Sequence, residues 1–390
     1  MNGFYITLAT IVIPILNDTY RLFFLLPLVK TKITFVIEPP LIIILIIVFL
    51  SQINLIMSHI IGSRGAEEIT IQHIFAFNCL LPLTYIISQQ IKKNDLKVIC
   101  WLFAIDSVFV LLQSWYGVST FYESVQGFEI FNQNLDLMYF ARPFGLGNNA
   151  SVYAEKLVIF SLIYHYLIAE FNYRFSKILL SIIVIAGIVN LGRTALATIL
   201  IFLLIVFLRY LIRSLTVNRT RRTITAILVL FLLLSSITII WSELINLAIF
   251  EFTRGTNNID LSGRDIIWDN FLKFIVNHPW MGNGSVKYYT DYGEKMASGH
   301  NSFLMMAATH GLFITSFYVY LLFRFINKIN YIYLIPIILF SLGQYSIFWG
   351  LSLPDIFLFY FLRLGNNFNY KHEVNINLDR FFKEKLDATN

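Results

Sequence analysis

The sequence predicts an all-α polytopic integral membrane protein with about 11–12 transmembrane helices and one large outward-facing loop. Hydrophobic residues make up 57% of the chain and charged residues only 13%, whereas soluble domains carry about 25% charged residues. The mean hydropathy is +0.69, and apolar runs repeatedly reach the roughly 18–20 residues that span a bilayer. Lipid is therefore the solvent for most of the surface.

Charge and cysteine content exclude other classes of protein. A net charge of +6 and a pI near 9.1 would suggest a nucleic-acid partner for a soluble protein. In a membrane protein, Lys and Arg on cytoplasmic connectors account for the same charge, so no nucleic-acid partner is expected. Cys79 and Cys100 lie within apolar runs, which argues against a disulfide framework and a metal cluster. Residues 3–16 lack the basic region and cleavage site of a signal peptide.

The apolar runs delimit the predicted spans. The first, at residues 4–28, is either one span or a bent hairpin. The others cover residues 41–57, 71–91, 96–116, 152–171, 178–190, 194–211, 224–241, 302–325, 331–350 and 356–364. The predicted organisation is thus transmembrane helices at 1–241 with an outer loop at 117–151, a large loop at 242–300, further transmembrane helices at 301–365 and a tail at 366–390.

The orientation follows from the basic residues of the connectors. They fall in every second connector, which the positive-inside rule places in the cytoplasm together with the tail. These residues are Lys30, Lys32, Lys92, Lys93, Lys97, Arg174, Lys177, Arg213, Arg219, Arg221, Arg222, Arg324 and Lys328. Residues 58–70, 117–151, 190–194 and 242–300 then face outward. The N-terminal orientation stays open, because Asp18 and Arg21 interrupt the first apolar run.

The loop at residues 242–300 contains a predicted amphipathic helix. Ser262 and Asp265 have the spacing of a capping box, which predicts a helix that begins near Gly263 and ends before Pro279. Its apolar positions recur at helical spacing and predict a helix lying flat on the membrane surface. They are Ile266, Ile267, Phe271, Leu272, Ile275 and Val276.

Arg264 lies in the first turn of this predicted helix, where a cation opposes the helix dipole by roughly 0.3–1 kcal/mol. A guanidinium beside free N–H groups favours a bound phosphate or diphosphate. The alternative is an ion pair with Asp260, Asp265 or Asp269.

Arg193 and His300 are predicted to lie on the same outer side. Gly192 marks a break between two spans, and Arg193 follows it; the alternative role is snorkelling to phospholipid headgroups. His300 precedes the next span, which Asn301 or Ser302 can cap. The imidazole would then be free to act as a general base or to orient a hydroxyl. The alternative is a hydrogen-bonded histidine that orders the start of the helix.

Other polar and aromatic residues of the outer loops are weaker candidates. Arg142, beside a turn at Gly145 and Gly147, could contact phosphate or sugar. His278 is expected to end the surface helix, and His310 to pack within a span. Several aromatic residues suit either sugar stacking or an interfacial belt: Trp268, Trp280, Tyr288, Tyr289 and Tyr292.

Four short motifs occur in order on the predicted outer side: GRTAL from Gly192, SGRDIIW from Ser262, HPWMGNG from His278, and HNSF from His300 with a following HG at His310. With these motifs, the region from Arg142 to Gly311 resembles the O-antigen polymerase (Wzy-type) and O-antigen ligase superfamily of bacterial membrane glycosyltransferases. The resemblance implies that Arg193, Arg264 and His300 are essential.

The resemblance also implies an inverting glycosyl transfer at the periplasmic face of the bacterial inner membrane. Donor and acceptor would be glycans carried on undecaprenyl diphosphate, with a chain-length regulator and a flippase as further partners. Arg193 and Arg264 would neutralise the departing diphosphate and His300 would orient or deprotonate the acceptor hydroxyl, while Arg142, Asn301 and Gly263 would bind substrate. No D-x-D motif is present, so a reaction without metal or cofactor is expected.

Three functions remain open at this stage. A polymerase is favoured, because 37 Phe and 21 Tyr with abundant Ile and Asn suggest AT-rich coding, which is typical of surface-polysaccharide gene clusters. An O-antigen ligase, which transfers finished polymer to lipid A–core, uses the same donor. A flippase or transporter is disfavoured, because such proteins tend to show repeated halves and charges near the middle of the bilayer.

Overall fold

A computed structural model describes residues 33–61, 80–116, 143–146, 150–190, 192–216, 263–292, 295–348, 350, 352–366 and 373–376. Its helices are α1 (Pro39–Ile61), α2 (Leu80–Gln90), α3 (Lys93–Tyr116), α4 (Ala150–Phe171), α5 (Lys177–Asn190), α6 (Arg193–Thr216), α7 (Arg264–Asn277), α8 (Ser302–Arg324), α9 (Tyr331–Gly343) and α10 (Leu353–Arg363). Strands β1 (Ile33–Val36) and β4 (Glu373–Ile376) pair antiparallel, as do β2 (Thr290–Tyr292) and β3 (Lys295–Ala297).

The predicted all-α polytopic membrane class is confirmed. Within the described residues, four helices are long and apolar enough to cross a bilayer: Pro39–Ile61, Ala150–Phe171, Arg193–Ile212 and Ser302–Arg324. Lys177–Asn190 and Tyr331–Gly343 are shorter apolar helices. Many hydrophobic side chains on these helices are exposed, as expected for surfaces that contact lipid. The spans predicted at residues 4–28 and 224–241 lie outside the described residues.

The connectors contact one another at two opposite faces of the helix bundle. This grouping agrees with the alternation of basic residues along the chain. On one face, which we call the basic face, β1 pairs with β4 and Arg363 forms a salt bridge with Glu38 at 2.7 Å. On the other, the loop face, Asn190 donates to the Pro143 carbonyl and Ser58 to that of Gly284. The connectors within the described residues therefore group at two faces, and the orientation of the remaining connectors stays a prediction.

The last helix, α10, forms the centre of the bundle on the basic side. Its side chains from Pro354 to Leu362 are all buried, and it packs against α2, α4 and α9. Phe361 stacks on Tyr333 of α9 with ring centroids 4.6 Å apart. A helix that is apolar on every side is expected to be surrounded by protein. The burial of α10 on all sides agrees with this expectation.

The predicted span at residues 331–350 is wrong at its end. Helix α9 stops at Gly343, and residues 344–352 are not helical in the part of this segment that the structure describes. Asp355 of α10 accepts hydrogen bonds from the backbone N–H of Phe348 and Gly350, at 2.6 and 3.2 Å. Irregular backbone is tolerated at membrane depth only where protein satisfies it, and this buried carboxylate does so.

Helix α8 is also interrupted, where the sequence predicted a continuous span. Gly311 has φ 79° and ψ 166°, a region that essentially only glycine adopts. The loop at residues 278–286 inserts at this break: the N–H of Asn283 donates to the Ala308 carbonyl and that of Ser285 to the Thr309 carbonyl, at 2.7 and 2.8 Å. These bonds replace the intrahelical ones that the break removes.

Candidate functional site

The surface helix α7 packs on α8 through one edge of its apolar stripe. Ile267, Phe271 and Ile275 are buried and form a cluster with Met305, Ala307 and Ala308 of α8. The predicted stripe is divided, because Ile266, Leu272 and Val276 are exposed. The helix itself is confirmed, and the contact with α8 determines where its first residue, Arg264, is held.

The predicted capping box depends on Ser262, which lies outside the described residues. Helix α7 begins at Arg264, close to the predicted start, and its N-cap residue is Gly263 with φ 72° and ψ 6°. Glycine adopts this left-handed conformation without steric cost, and Gly263 contributes backbone alone.

Arg264 contacts the C-terminal end of another helix. Its Nη1 donates a hydrogen bond of 2.9 Å to the carbonyl of Gly343, the last residue of α9. The guanidinium opposes the dipole of α7 but complements the negative end of α9. One of the predicted acidic partners is committed elsewhere, because Asp269 pairs with Lys273 at 2.5 Å. The Gly343 carbonyl can therefore stabilise the Arg264 cation without a bound anion.

His300 is partly buried, and the nearby Arg264 charge acts on its imidazole. Both roles predicted for this ring, a general base and a residue that orders the start of the helix, stay predictions. The ring lies close to the Gln344 side chain, which acts on its pKa, and the residue has φ 45°. Burial lowers the pKa of His300 below its ordinary 6.5, the nearby Arg264 charge lowers it further, and the Gln344 side chain partly opposes both effects. The neutral imidazole therefore predominates at neutral pH, which is the form that a general base requires.

The backbone around His300 is held on both sides. Trp268 of α7 donates its indole N–H to the Gly299 carbonyl at 2.6 Å. Asn301 caps α8, and its Oδ1 accepts from the N–H groups of Phe303 and Leu304 at 2.9 and 3.1 Å. Because Oδ1 of Asn301 is engaged in this cap, its amide NH₂ group is the part of the side chain that would bind substrate, the role predicted for this residue.

Ser302 fixes the segment that carries Gln344. This fully buried hydroxyl donates to the Gln344 carbonyl at 3.3 Å and accepts from the N–H groups of Ser346 and Ile347 at 3.1 and 3.2 Å. Gln344, held through its backbone by Ser302, therefore places its side chain close to His300. Sequence reasoning considered Ser302 only as a helix cap and missed Gln344, because Gln344 lies inside a run read as a continuous span.

Arg193 begins α6 at the same place. The next residue, Thr194, lies against Gly343, where an added Cβ would come within 2.8 Å of the Thr194 methyl. The break predicted at Gly192 is confirmed, because α5 ends at Asn190 and α6 starts at Arg193. The structure thus brings Arg264, His300 and the N-terminal end of α6 to Gly343 and Gln344, a group that we call the α9 terminus.

Arg142 lies outside the described residues, but the turn beside it is firmly held. Gln113 accepts from the N–H groups of Phe144 and Gly145 at 2.9 and 2.8 Å, and Asp106 accepts from that of Leu146 at 2.6 Å. Asp106 forms a buried salt bridge with Lys156 at 3.0 Å. The signal for this pair was present in the sequence, as two opposite charges within apolar runs.

The remaining candidates have structural contacts. His278 is the C-cap of α7, as predicted, and its ring stacks on Phe274 at 4.5 Å. His310 is buried in α8, in agreement with a packing role, with Nδ1 at 3.1 and 3.0 Å from the hydroxyls of Ser51 and Ser285. Tyr288 stacks on Phe274 at 3.9 Å. Trp280 is 75% exposed and is the tryptophan of the predicted set that is most open for stacking on a sugar.

The coupling between Arg264 and His300 leads to a testable pH effect. Diethyl pyrocarbonate acylates neutral imidazole, so its rate of reaction at His300, followed by peptide mass spectrometry against pH, reports the pKa of that ring. We expect Arg264→Gln to raise the pKa of His300, so that reactivity is lost at a higher pH than in the wild type. Arg264→Lys retains the charge and should keep the wild-type profile. A profile that does not move in Arg264→Gln would contradict the contact.

Comparison with known proteins gives a family match for part of the chain. Residues 178–319 match the model of a family described as O-Antigen ligase. The matched region includes Arg193, Arg264 and His300 but ends before Gln344. No curated protein and no solved structure matches the chain.

Proposed function

Through residues 178–319 the chain belongs to the O-antigen polymerase and ligase superfamily, and we propose that it is an O-antigen polymerase. It would join oligosaccharide repeat units carried on undecaprenyl diphosphate, on the periplasmic face of the bacterial inner membrane. The observation that supports glycosyl transfer is the meeting of two helix N-termini, each starting with an arginine, beside a partly buried neutral histidine at the α9 terminus. The preference for a polymerase over a ligase rests on the Phe- and Tyr-rich composition of the chain.

The proposed reaction is a displacement at the anomeric carbon of the donor sugar. The acceptor hydroxyl oxygen attacks this carbon, and the bond from the carbon to the diphosphate oxygen breaks with its electron pair leaving on the diphosphate. His300 takes the hydroxyl proton. Its burial and the Arg264 charge favour the neutral base before the reaction, and the departing diphosphate would offset the cost of a second positive charge beside Arg264.

The arginines would bind the leaving group. Each is the first residue of a helix, so its backbone lies at the positive end of a helix dipole, where N–H groups favour an anion. Arg264 is anchored through the Gly343 carbonyl, which orients its fork before substrate arrives. Preorganised charge of this kind stabilises the transition state without reorganisation. Arg142, Gly263 and the Asn301 amide are proposed to bind the sugar or phosphate groups, and the reaction is proposed to invert the anomeric centre without metal.

Ligase activity is the second candidate, because the family description names it. Polymerase and ligase share a donor and a leaving group and differ in the acceptor, so donor-site residues cannot separate them. The chain-length regulator and flippase that accompany a polymerase would be partners under the first function. Transport remains the least favoured role, because the converging residues suit group transfer.

Deletion of the gene separates these functions. We expect lipopolysaccharide with core plus a single repeat unit and no long ladder, because a separate ligase still transfers single units. Expression of the wild type should restore the ladder, and expression of His300→Ala should not. Bare core together with long lipid-linked polymer would instead identify a ligase, and an unchanged ladder would contradict both functions.

A further inference from the structure

A cavity of about 560 Å³ lies between α4, α6 and α9 at the basic face. Its polar lining comes from His165, Tyr166, Glu170, Arg209, Tyr210 and Tyr333. Arg209 follows Arg193 by 16 positions on α6, about 24 Å along the helix axis. Because the hydrocarbon core is about 30 Å thick, Arg209 lies near the opposite headgroup region from the candidate glycosyl-transfer site.

Two opposite charges share this cavity without forming an ion pair. Both Glu170 and Arg209 are exposed, and both act electrostatically on the Tyr333 hydroxyl. Across the part of the chain that the structure describes, the salt bridges do not include one between them. The cavity therefore offers a separate cation and anion to a ligand.

The wall behind these charges is fixed. Tyr333 donates to or accepts from His165 Nδ1 at 3.2 Å and stacks on Phe361. Tyr166 contacts the rings of Tyr333 and Tyr360 edge-on, at 5.8 Å in each case. Apolar side chains of Val206, Ile332 and Leu364 complete the lining. The cavity thus combines a polar mouth with an apolar wall and has the size of ordinary small-molecule sites, about 300–1,000 Å³.

We propose that this cavity binds a zwitterionic phospholipid with a primary ammonium group, of the phosphatidylethanolamine type. Arg209 would contact the phosphate, Glu170 would accept hydrogen bonds from the ammonium, and the Tyr166 and Tyr210 hydroxyls would donate to phosphate or ester oxygens. The acyl chains would run along the apolar wall into the bilayer. The proposal is independent of the glycosyl-transfer function.

The pair of charges argues for this lipid over others. An anionic headgroup without an amine, such as phosphatidylglycerol, would satisfy Arg209 but leave Glu170 beside a phosphate of like charge. Phosphatidylcholine carries a quaternary ammonium that has no N–H to donate to Glu170. A site that contains both charges therefore selects a headgroup that contains both partners.

The test is native mass spectrometry of the purified full chain, titrated with the three lipids with identical acyl chains. We expect the wild type to bind the ethanolamine lipid at least 10-fold more tightly than the other two. Arg209→Gln should weaken this binding about 10-fold, which corresponds to about 1.4 kcal/mol. Glu170→Gln should abolish the preference over phosphatidylglycerol, and the matched control Arg324→Gln, an exposed cation outside the cavity, should behave as wild type.

The wild-type protein alone tests the lipid preference, so the proposal can be tested even if a variant misfolds. Equal binding of the three lipids by the wild type would overturn it and indicate unspecific annular lipid. A preference that Glu170→Gln leaves intact would also overturn it, because the ammonium would then be recognised elsewhere. Since lipid binding is measured without glycosyl transfer, a failure of the polymerase proposal would not affect either result.

Discussion

Replacement of Arg264, Arg193 or His300 by alanine is expected to lower glycosyl transfer by roughly 10²–10³-fold each. The arginines lose charge at the departing diphosphate, and the histidine variant loses the base for the acceptor hydroxyl. Transfer is measured as polymer formed by the purified protein in liposomes that contain a lipid-linked repeat unit. Arg264→Lys should recover little activity, because an ammonium cannot both anchor on Gly343 and present a planar fork to a diphosphate.

The matched control for these variants is Lys273→Ala. Lys273 lies on the same helix as Arg264 but is 69% exposed and pairs with Asp269, so its loss should leave transfer unchanged. Each variant should retain the wild-type elution volume in gel filtration, since the Arg264 hydrogen bond contributes only about 0.5–1.5 kcal/mol. Full activity in all three alanine variants would show that these residues are structural.

Substitution of Gly311 by alanine is expected to cause the largest loss of stability in the described part of the chain. A non-glycine residue at φ 79° and ψ 166° costs about 1–3 kcal/mol in backbone strain. The new Cβ would also lie 2.1 Å from the Trp280 carbonyl oxygen, which is backbone and cannot rotate away. Gly282→Ala should act in the same way, because its Cβ would meet the Ala308 carbonyl oxygen at 2.6 Å. The measurement is the thermal midpoint of unfolding in detergent and the folded yield.

Gly187→Ala provides the matched control for the two glycine substitutions. Gly187 is buried in α5, and an added Cβ would meet only the tip of the flexible Leu157 side chain, at 2.8 Å. Alanine also favours a helix over glycine by about 1 kcal/mol, so the midpoint should change little. A Gly311→Ala protein with the wild-type midpoint would contradict the described insertion of the 278–286 loop into α8.

The membrane class and most limits of the helices in the described residues could be predicted from the sequence. These features depend on the solvent preference of each residue and on short-range periodicity, both of which a single chain displays directly. Helix α7 illustrates this well: its spacing predicted a helix near Gly263 that ends before Pro279, and the helix spans Arg264–Asn277. The arginines and the histidine stood out because charge is rare in such a chain.

The tertiary structure alone revealed what surrounds those residues. Hydropathy treats residues 302–325 and 331–350 as continuous spans, because a buried irregular backbone is as apolar in sequence as a helix. Only contacts between distant segments show that the 278–286 loop enters α8 at Gly311 and that Asp355 supports the chain beyond α9. Likewise, Arg264 meets Gly343, and Gln344 meets His300, through packing that no local pattern encodes.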